Sequence, residues 1–586
     1  MRILLLSHAF NGLTQRLFVE LRAAGHQVSV ELDISDAVTE EAVALADPDV
    51  VIAPFLKRRI PEVVWSTRLC LVVHPGPPGD RGPSALDWAV LQGRSDWGVT
   101  VLQAVADYDA GPVWAWQPLR LREAATKASL YRHEVVPAAV AATLTALRRV
   151  VRGSQSPAAA PPMPPALPGM GWQPLVTADQ RRIDWASHDS ATVLRRVRSA
   201  DGAPGAGALL WGEPCKLFDA HAASATVCRR AMPAAPGTVL ARRGPALLVR
   251  TTDGAVWIGH VRRAPDADGT PALKLAASLA FAEPAALLPE WPAPPWRPTV
   301  RDSDEWDELH YSELGPTRGR VGWLEFNFHN GAMGERQCQR LVEALRLAAK
   351  RDTQVLVLAG GTDFFSNGIH LHEIEAAARR EGDSAADASM RNIEAIDDVA
   401  LALLQLTDRL TVAALRGNAG AGGCFLALAA DRVWAHEGVL LNPHYTNMGN
   451  LYGSEYWTYL LPRRVGVDAA RALMQGRLPM GAAQAAACGL IDDCFGADAT
   501  AFELELVMRA LALAAAPDGA TQVAAKRQRR AADEAARPLA AYRADELGRM
   551  RRNFYGFDAS YHVARHHFVH RKPHAWTPRH LATHRR

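Results

Sequence analysis

Two proline-rich stretches interrupt the chain and limit what it can fold into. Residues 153–168 read GSQSPAAAPPMPPALP and residues 289–298 read PEWPAPPWRP, and neither carries the periodic apolar pattern of a core element. Such segments behave as semi-rigid linkers. At about 150 residues per domain, a chain of 586 residues contains roughly three to five domains. We therefore predict three folded segments: residues 1–155, 172–290 and 300–586.

The first segment alternates short apolar runs with helical patterns. The predicted strands are residues 3–6, 27–32, 49–54, 69–73 and 99–105. This alternation is typical of an α/β domain with a mostly parallel sheet. Ligands bind such sheets beyond the carboxyl ends of the strands. His74 directly follows the fourth strand, so we expect it in a binding or catalytic site.

The other two segments have different patterns. Residues 182–288 contain short strands separated by Gly and Pro turns, as in GTVLARRGPALLVRTTDGAVWIGHVR, which predicts a small β domain. From Gly319 the α/β pattern returns, with strands at 320–326 and 353–358 around a long helix. Beyond Phe502 the chain reads as mainly helical. The whole chain is therefore predicted to be an α/β multidomain protein.

Charge and cysteine usage argue against several classes of function. A formal net charge of +3 gives no electrostatic case for binding nucleic acid or an acidic membrane. The seven cysteines include no C-x-x-C pair, which favours free thiols in a reducing compartment. No segment has the ~18 uninterrupted apolar residues of a membrane helix, and the N-terminus lacks the apolar core of a signal peptide. We expect a cytoplasmic protein that does not bind membranes.

Histidines are concentrated near the C-terminal end of the chain. They are His562, His566, His567, His570, His574, His580 and His584. No H-E-x-x-H motif or cysteine partner accompanies them. We therefore predict no metal site here, and interpret this region as a surface for a partner or for the phosphate groups of a ligand.

An ordered set of short motifs surrounds His74. HPGPPGDRGPSALDW begins at His74, GVT occupies residues 98–100, and DYDAGP begins at Asp107. This order resembles the formyltransferases that use 10-formyltetrahydrofolate, such as methionyl-tRNA and glycinamide ribonucleotide formyltransferases. RRIDW at residues 181–185 resembles the start of their C-terminal β domain. The resemblance implies a Rossmann-like parallel sheet followed by a small β-barrel (OB-like) domain.

The resemblance also implies roles for individual residues. His74 and Asp109 match the catalytic pair, and a histidine suits proton transfer at a tetrahedral intermediate. The folate pocket is matched by Phe55, Leu56, Arg81 and Asp107. Val72 stands where the family has Asn two residues before the histidine. Because valine cannot donate a hydrogen bond to an oxyanion, either another group does so or the acceptor differs from the usual amine.

The third segment carries a second pair of motifs. GGTDFFSNGIHL at residues 360–371 and GNAGAGGC at residues 417–424 resemble the enoyl-CoA hydratase/isomerase (crotonase) superfamily. The resemblance implies a crotonase-like ββα spiral with a helical C-terminus. It also implies that the backbone N–H groups of Ile369 and Gly422 hold a thioester carbonyl. Glycine at such positions lets the backbone approach the ligand closely.

The carboxylates of a hydratase are missing. Phe425 and His444 occupy their positions, so we do not expect the chain to add water to an enoyl-CoA. Tyr445 and Glu455 offer a phenol and a carboxyl in the segment PHYTNMGNLYGSEYWTY, which we expect to line the acyl pocket. Together with His444 they are the candidate catalytic residues of this segment.

A formyltransferase fused to a crotonase resembles the HypX (HoxX) family of hydrogenase maturation factors. FSNGIHLHEIE and NFYGFDASYHVARHHFVHRK extend the likeness over essentially the whole chain. The resemblance implies formyl transfer from 10-formyltetrahydrofolate to coenzyme A, then decarbonylation of formyl-CoA to supply carbon monoxide to a NiFe hydrogenase. The expected partners are the hydrogenase large-subunit precursor or its maturation proteins. Two alternatives stay open: an amine formyltransferase with a separate CoA-binding module, and a non-catalytic scaffold that binds folate and coenzyme A.

Overall fold

The computed structural model describes residues 1–152, 166–266, 269–291 and 306–586. The chain divides into two compact units. One comprises Met1–Trp291 together with Pro573–Arg586, and the other comprises Pro292–Lys572. Most of the first predicted linker (153–165) and residues 292–298 of the second lie outside the described residues.

The first unit begins with a six-stranded sheet. Its strands are β1 (Arg2–Ser7), β2 (Gln27–Leu32), β3 (Val50–Phe55), β4 (Cys70–His74), β5 (Asp96–Gln103) and β6 (Val113–Arg120). They lie in the order β2-β1-β3-β4-β5-β6. The first four strands are parallel, whereas β5 runs antiparallel to both β4 and β6. The central strands are near-continuous apolar runs because helices cover both faces.

Four helices lie between strands β1 to β5, and two follow β6. They are α1 (Gly12–Ala23), α2 (Asp36–Ala46), α3 (Glu62–Trp65), α4 (Ala85–Leu91), α5 (Lys127–Leu130) and α6 (Val136–Val151), with a π-helical turn at Tyr131–Val135. Short polar side chains cap the first two. Asn11 accepts a hydrogen bond from Thr14 N, and Ser35 accepts one from Val38 N, satisfying N–H groups that the helices cannot pair themselves.

A second, antiparallel sheet of six strands follows in the same unit. Its elements are α7 (Ser190–Arg198), β7 (Ala206–Leu210), β8 (Glu213–Ala222), α8 (Ala225–Ala231), β9 (Val239–Arg243), β10 (Ala246–Arg250), β11 (Ala255–Arg263), β12 (Lys274–Ala276), α9 (Ala277–Ala280) and α10 (Ala282–Ala286). The strand order is β7-β8-β11-β10-β9, and β12 pairs with β11. Val193 and Val197 of α7 pack into the core of this sheet.

The segment Pro573–Arg586 covers the edge of the first sheet. Val30 N of the edge strand β2 donates to Leu581 O over 3.0 Å, and Leu32 N donates to Thr577 Oγ1 over 2.9 Å. The buried carboxylate of Glu31 is paired with His584 Nε2 at 2.9 Å and Arg585 Nε at 2.7 Å. An uncovered edge strand is a site of unwanted strand pairing, and here the chain covers it itself.

The second unit is built on three sheets. Its strands are β13 (Leu309–Leu314), β14 (Val321–Phe326), β15 (Ala332–Met333), β16 (Val355–Gly360), β17 (Phe364–Ser366), β18 (Gly368–Ile369), β19 (Leu410–Leu415), β20 (Asn418–Gly420), β21 (Arg432–Ala435), β22 (Leu440–Asn442), β23 (Met480–Gly481) and β24 (Asp493–Cys494). The orders are β13-β14-β16-β19-β21-β24, β17-β20-β22-β23 and β15-β18.

Eleven helices among the described residues of this unit cover the sheets and form its C-terminal part. They are α11 (Glu335–Ala349), α12 (Leu371–Ala377), α13 (Ala385–Leu404), α14 (Gly422–Leu428), α15 (Trp457–Val465), α16 (Val467–Gly476), α17 (Ala482–Ala487), α18 (Ala499–Ala514), α19 (Gly519–Ala536), α20 (Leu539–Tyr555) and α21 (Ser560–Val569); short 3₁₀ turns lie at His329–Gly331 and, in the first unit, at Thr583–Arg585. Among the described residues, no helix is both long and apolar enough to cross a membrane.

Alternate residues of β14 pack into two different cores. Leu324 and Phe326 lie in the core that contains α11 and α13. Val321 and Trp323 lie in the core that contains α18. Because side chains alternate along a strand, the main sheet is covered on both faces. The short strands β17, β18 and β20 belong to the other two sheets and carry the candidate binding loops.

Candidate functional site

His74 ends β4 and is buried, with 5% of its surface exposed. Its backbone is paired with Thr100 of the antiparallel strand β5. Its Nε2 donates to Asp80 Oδ2 over 2.8 Å. The loop that returns Asp80 onto the ring is tight, because a Cβ on Gly76 would lie 2.2 Å from Asp80 Oδ2. Glycine at position 76 is therefore a steric requirement of this site.

Asp109 approaches His74 from the other side. Its Oδ1 lies 3.5 Å from His74 Nδ1, and its Oδ2 accepts a hydrogen bond from Gly82 N at 3.0 Å. Asp109 has a left-handed backbone, with φ 52°. Burial lowers the pKa of His74, but the hydrogen bond to Asp80 and the charge of Asp109 outweigh it, so the pKa lies above its ordinary value. A histidine between two carboxylates can accept and hold a proton.

The structure brings together the predicted pair His74 and Asp109 and adds Asp80, which the sequence analysis did not single out. Asp80 lies in the quoted HPGPPGDRG motif. Its position six residues after the histidine was a usable signal only with knowledge of the intervening turn. Val72 is half-buried and packs in an apolar cluster with Cys70. Val72 itself thus supplies no side-chain donor.

The predicted folate-binding residues are distributed around this group. Arg81 donates from Nε and Nη2 to Tyr108 O, over 3.1 and 3.0 Å, and so braces the loop that carries Asp107 and Asp109. The Asp107 side chain is exposed. Phe55 ends the neighbouring strand β3, with its ring 5.9 Å from that of His8, and Leu56 packs in the apolar cluster below. Phe55 and Leu56 therefore lie at the end of the strand next to that of His74, and they are not part of the group formed by His74, Asp80 and Asp109.

In the second unit, Tyr445 and Glu455 form a directly hydrogen-bonded pair through Oη and Oε2. Both are buried, and Glu455 is only 1% exposed. Tyr445 Oη also lies 2.9 Å from Ser454 O. The ring of Phe425 stacks on that of Tyr445, with centroids 5.1 Å apart and planes inclined by 15°. The residue at the first hydratase-carboxylate position thus fixes the phenol in place.

Gly422 brings the backbone against this pair. It is the first residue of α14, so the helix offers no internal partner to its N–H. A Cβ on Gly422 would lie 2.2 Å from Glu455 Oε1, and one on Gly368 would lie 3.4 Å from Gly422 N. The strand β18, which contains Ile369, therefore adjoins the start of α14 and the Glu455 carboxyl. The segment that carries the predicted N–H donors, Ile369 and Gly422, thus lies beside the carboxyl group of Glu455.

His444 is buried immediately before Tyr445. Its backbone N–H donates to Asn442 O over 2.8 Å. This arrangement sets the direction in which the chain leaves β22 and delivers the Tyr445 side chain.

Two further buried acids contact the segment that carries Glu455. Asp397 of α13 and Glu546 of α20 are both 0% exposed. Burial raises the pKa of Asp397 to about 6 and that of Glu546 to about 8. Burial, followed by the charge of Asp397, raises the pKa of Glu455 well above its ordinary value. The sequence analysis missed both residues because acids within helices normally face solvent, and neither lies near a motif.

A group of possible metal ligands lies among the C-terminal histidines. Ligand atoms of Glu375, His566 and His570 all lie within 4.8 Å of one another. The histidines bond to Glu375 Oε1, at 3.2 and 3.1 Å, while Arg565 Nε pairs with Oε2 at 2.8 Å. These bonds lower the pKa of Glu375 to about 2 despite its burial. The group is an ion-paired network that joins α12 to α21.

Comparisons with known proteins define the class of each part. Residues 175–268 match the C-terminal domain of formyl transferases, and residues 327–578 match the enoyl-CoA hydratase/isomerase family. A methionyl-tRNA formyltransferase from Variovorax paradoxus is 29% identical over 237 residues, covering 39% of this chain and 68% of that protein. The chain is thus a multidomain α/β protein that joins a formyltransferase to a crotonase-like module, which confirms the predicted fold class.

Two full-length relatives give the family. The hydrogenase maturation factor HoxX of Bradyrhizobium diazoefficiens is 53% identical over 585 residues, covering 100% of this chain and 97% of that protein. A crystal structure of HypX from Aquifex aeolicus in complex with tetrahydrofolic acid has a TM-score of 0.92 and 44% identity, covering 100% of this chain and 99% of the other. The chain belongs to the HypX/HoxX family of hydrogenase maturation factors, as the sequence motifs predict.

Proposed function

We propose that this protein transfers the formyl group of 10-formyltetrahydrofolate to coenzyme A and then decarbonylates formyl-CoA, releasing carbon monoxide for a NiFe hydrogenase. The observation that carries the proposal is the buried Tyr445–Glu455 pair against the backbone of Gly422. It adjoins Phe425 and His444, which we assign to the positions of the two hydratase carboxylates. The modules we assign to the two steps are residues 1–155 with 172–290, and residues 300–586.

In the first step, the thiol of coenzyme A would attack the formyl carbon. We assign His74 to take the thiol proton and return it to the departing folate nitrogen, a role supported by its two carboxylate neighbours, Asp80 and Asp109. Tetrahydrofolate bound to the Aquifex relative supports folate as the donor. We assign its pocket to Phe55, Leu56, Arg81 and Asp107. An acceptor thiol, which is a better nucleophile than an amine, is consistent with Val72.

In the second step, the N–H groups of Ile369 and Gly422 would hold the formyl-CoA carbonyl. The formyl carbon loses its proton, the carbon–sulfur bond breaks, and the sulfur gains a proton, so that carbon monoxide and free coenzyme A are formed. We assign the two proton transfers to Tyr445 and Glu455, with His444 shaping the same pocket. Fixing the thioester beside these groups lowers the entropic cost of reaction.

The setting we propose follows from the family. Its partners would be the hydrogenase large-subunit precursor or a maturation protein, and no nucleic acid or membrane. The cysteine usage supports a reducing, cytoplasmic compartment.

The test is to incubate the full chain with 10-formyltetrahydrofolate and coenzyme A. Tetrahydrofolate, formate and carbon monoxide are measured together, the last by haem absorbance. Carbon monoxide that depends on both substrates supports the proposal. Tetrahydrofolate release with a formylated amine and without coenzyme A would favour an amine formyltransferase. Binding of both substrates without any turnover would favour a scaffold.

A further inference from the structure

Glu455 and Tyr456 both have left-handed backbones, with φ of 58° and 59°. Non-glycine residues rarely adopt this conformation, and two in succession persist only when surrounding contacts impose it. The strain lies in the residue proposed to carry out proton transfer. The contacts that impose it are therefore part of the site.

Asp397 holds the first of these two residues. Its Oδ1 accepts hydrogen bonds from Glu455 N at 2.8 Å and from Ser454 Oγ at 2.5 Å. Among the described residues, its Oδ2 has no hydrogen-bond partner and lies 3.7 Å from Arg543 Nε. One oxygen of Asp397 thus fixes the backbone of Glu455, and the carboxylate as a whole contributes negative charge.

Glu546 holds the second residue from another helix. Its Oε2 accepts from Tyr456 N at 2.9 Å, and its Oε1 accepts from Thr458 N at 2.8 Å. With the backbone fixed on both sides of the bond between Glu455 and Tyr456, the Glu455 carboxyl is directed at Gly422 and Tyr445. Among the described residues, the hydrogen bonds of Asp397 and Glu546 go to the segment around Glu455 and not to Tyr445 or Gly422.

The hydrogen bonds of Tyr445 bear on the state of Glu455. Its hydroxyl has one hydrogen but two acceptor oxygens in reach, Ser454 O and Glu455 Oε2. Both contacts are satisfied when the phenol donates to Ser454 O and a protonated Glu455 donates to the phenol.

The charges around Glu455 point the same way. Asp397, Glu455 and Glu546 are all buried, while the guanidinium of Arg543 lies 3.7 Å from Asp397 and pairs with the exposed Asp398 at 2.6 Å. Burying a second unpaired carboxylate is costly. The groups that face Glu455 are Asp397 of α13, Glu546 and Arg543 of α20, Cys338 of α11, and the phenols of Tyr445 and Tyr456.

We propose that Asp397 and Glu546 are positioning residues for Glu455, and that the charge of Asp397, acting together with burial, keeps the Glu455 carboxyl in its acid form in the resting enzyme. The proposal rests on the function proposed above for Glu455. In this proposal both residues fix the backbone that carries Glu455, and Asp397 also controls the protonation of the Glu455 carboxyl.

Asp397→Asn separates these two roles. The amide oxygen can still accept from Glu455 N and Ser454 Oγ, while the amide nitrogen replaces the oxygen that has no hydrogen bond. We expect near-parental folding. The limb of the decarbonylation pH profile that reports Glu455 should move to lower pH by about one unit, whichever proton Glu455 transfers. Asp397→Ala, which removes the backbone contacts, should lower kcat more than tenfold with little change in the KM for formyl-CoA.

Asp468→Asn is the matched control, because it removes a carboxylate whose side chain is 99% exposed and should leave the profile in place. An unchanged profile in Asp397→Asn, or an equal shift in Asp468→Asn, would overturn the electrostatic role. An Asp397→Ala variant with parental kcat would overturn the positioning role.

A second readout does not depend on turnover. The infrared carbonyl stretch of a carboxylic acid, assigned by comparing the full chain with Glu455→Gln, should be present at pH 7 and vanish at lower pH in Asp397→Asn than in the parent. Its absence at pH 7 would overturn the resting acid form. If the band behaves as expected but no variant releases carbon monoxide from formyl-CoA, the proposed function fails while the account of Glu455 stands.

Discussion

His74 and Glu455 are both buried proton-transfer candidates, but the charges around them differ. His74 lies between two carboxylates that favour its charged form. Glu455 lies among carboxyl groups that disfavour its charged form. An aspartate thus stabilises the positive charge of His74 in one site and disfavours the negative charge of Glu455 in the other. The difference follows from the sign of the neighbouring charge.

Asp80→Asn should move the pH profile of formyl transfer. The pKa of His74 is raised by its bond to Asp80, so removing that charge should shift the limb that reports His74 to lower pH by about one unit. Tetrahydrofolate release between pH 5 and 9 measures this. Asp96→Asn, whose side chain is 70% exposed, should not shift the limb. A profile identical to the parent's in Asp80→Asn would contradict the role of Asp80.

Two single substitutions should separate the half-reactions. Glu455→Gln keeps the side-chain shape and should still form formyl-CoA, while carbon monoxide release falls by about 10²–10⁴-fold. His74→Ala should form no formyl-CoA from formyltetrahydrofolate, yet release carbon monoxide from supplied formyl-CoA. Formate is measured alongside to account for hydrolysis. Glu343→Gln, which is exposed on α11, is the control, and parental carbon monoxide release by Glu455→Gln would disprove the assignment.

At the scale of elements, the sequence allowed us to predict the strands and helix starts that depend on local residue patterns. The strand ending at His74 and the glycine-rich start of α14 follow from apolar runs and motif spacing. Tyr445, Glu455 and Gly422 lie together in the structure, and their catalytic roles stay a prediction. Asp397 and Glu546 could not be found in this way. Asp397 bonds to Glu455 across 58 residues of chain and Glu546 bonds to Tyr456 across 90, and these contacts arise only from the packing of α13 and α20.

The start of α14 should tolerate no side chain at Gly422. Gly422→Ala would place a Cβ 2.2 Å from Glu455 Oε1, displacing either the carboxyl or the N–H donor. We expect carbon monoxide release from formyl-CoA to fall by 10²-fold or more, by analogy with the loss of one oxyanion-hole donor. Transfer to coenzyme A should be unaffected.

Gly548→Ala is the matched control. A Cβ there meets nothing within 4 Å, and the residue lies inside α20, where alanine favours the helix by about 0.5–1 kcal/mol. It should keep full activity. Equal activity of Gly422→Ala and Gly548→Ala would show that Gly422 does not approach the reacting group.

At the scale of the whole molecule, each compact unit contains one candidate site built by its own elements. The first unit, however, is completed by the segment Pro573–Arg586. Sequence pattern gave no indication of this, because the pairing of Glu31 with His584 and Arg585 spans more than 550 residues. Contacts between residues so far apart in the chain produce no local sequence pattern from which they could be predicted.

Replacing His584 and Arg585 with alanine should destabilise the first unit. Glu31 would remain buried without the guanidinium of Arg585 and the imidazole of His584, which costs about 3 kcal/mol of unfolding free energy. The bonds to these partners outweigh burial and lower the pKa of Glu31 below its ordinary 4.5. The loss should therefore be full above about pH 4.5 and vanish as the pH falls through the lowered pKa.

Urea unfolding of the full chain at pH 4 and pH 7 measures this. Arg586→Ala, at an exposed position, serves as the control. A double variant as stable as the parent at pH 7 would contradict the prediction.

The covered edge of β2 has a consequence for synthesis. Strands β1 to β6 are complete once the ribosome has made residue 120, yet the segment that pairs with β2 is made after the entire second unit. At about 5–20 residues per second, the interval is roughly half a minute to one and a half minutes. During that time the nascent sheet presents an open edge and an unpaired Glu31. Chaperone binding to the nascent chain should therefore fall only after residues 573–586 have emerged, because these residues cover the open edge of β2.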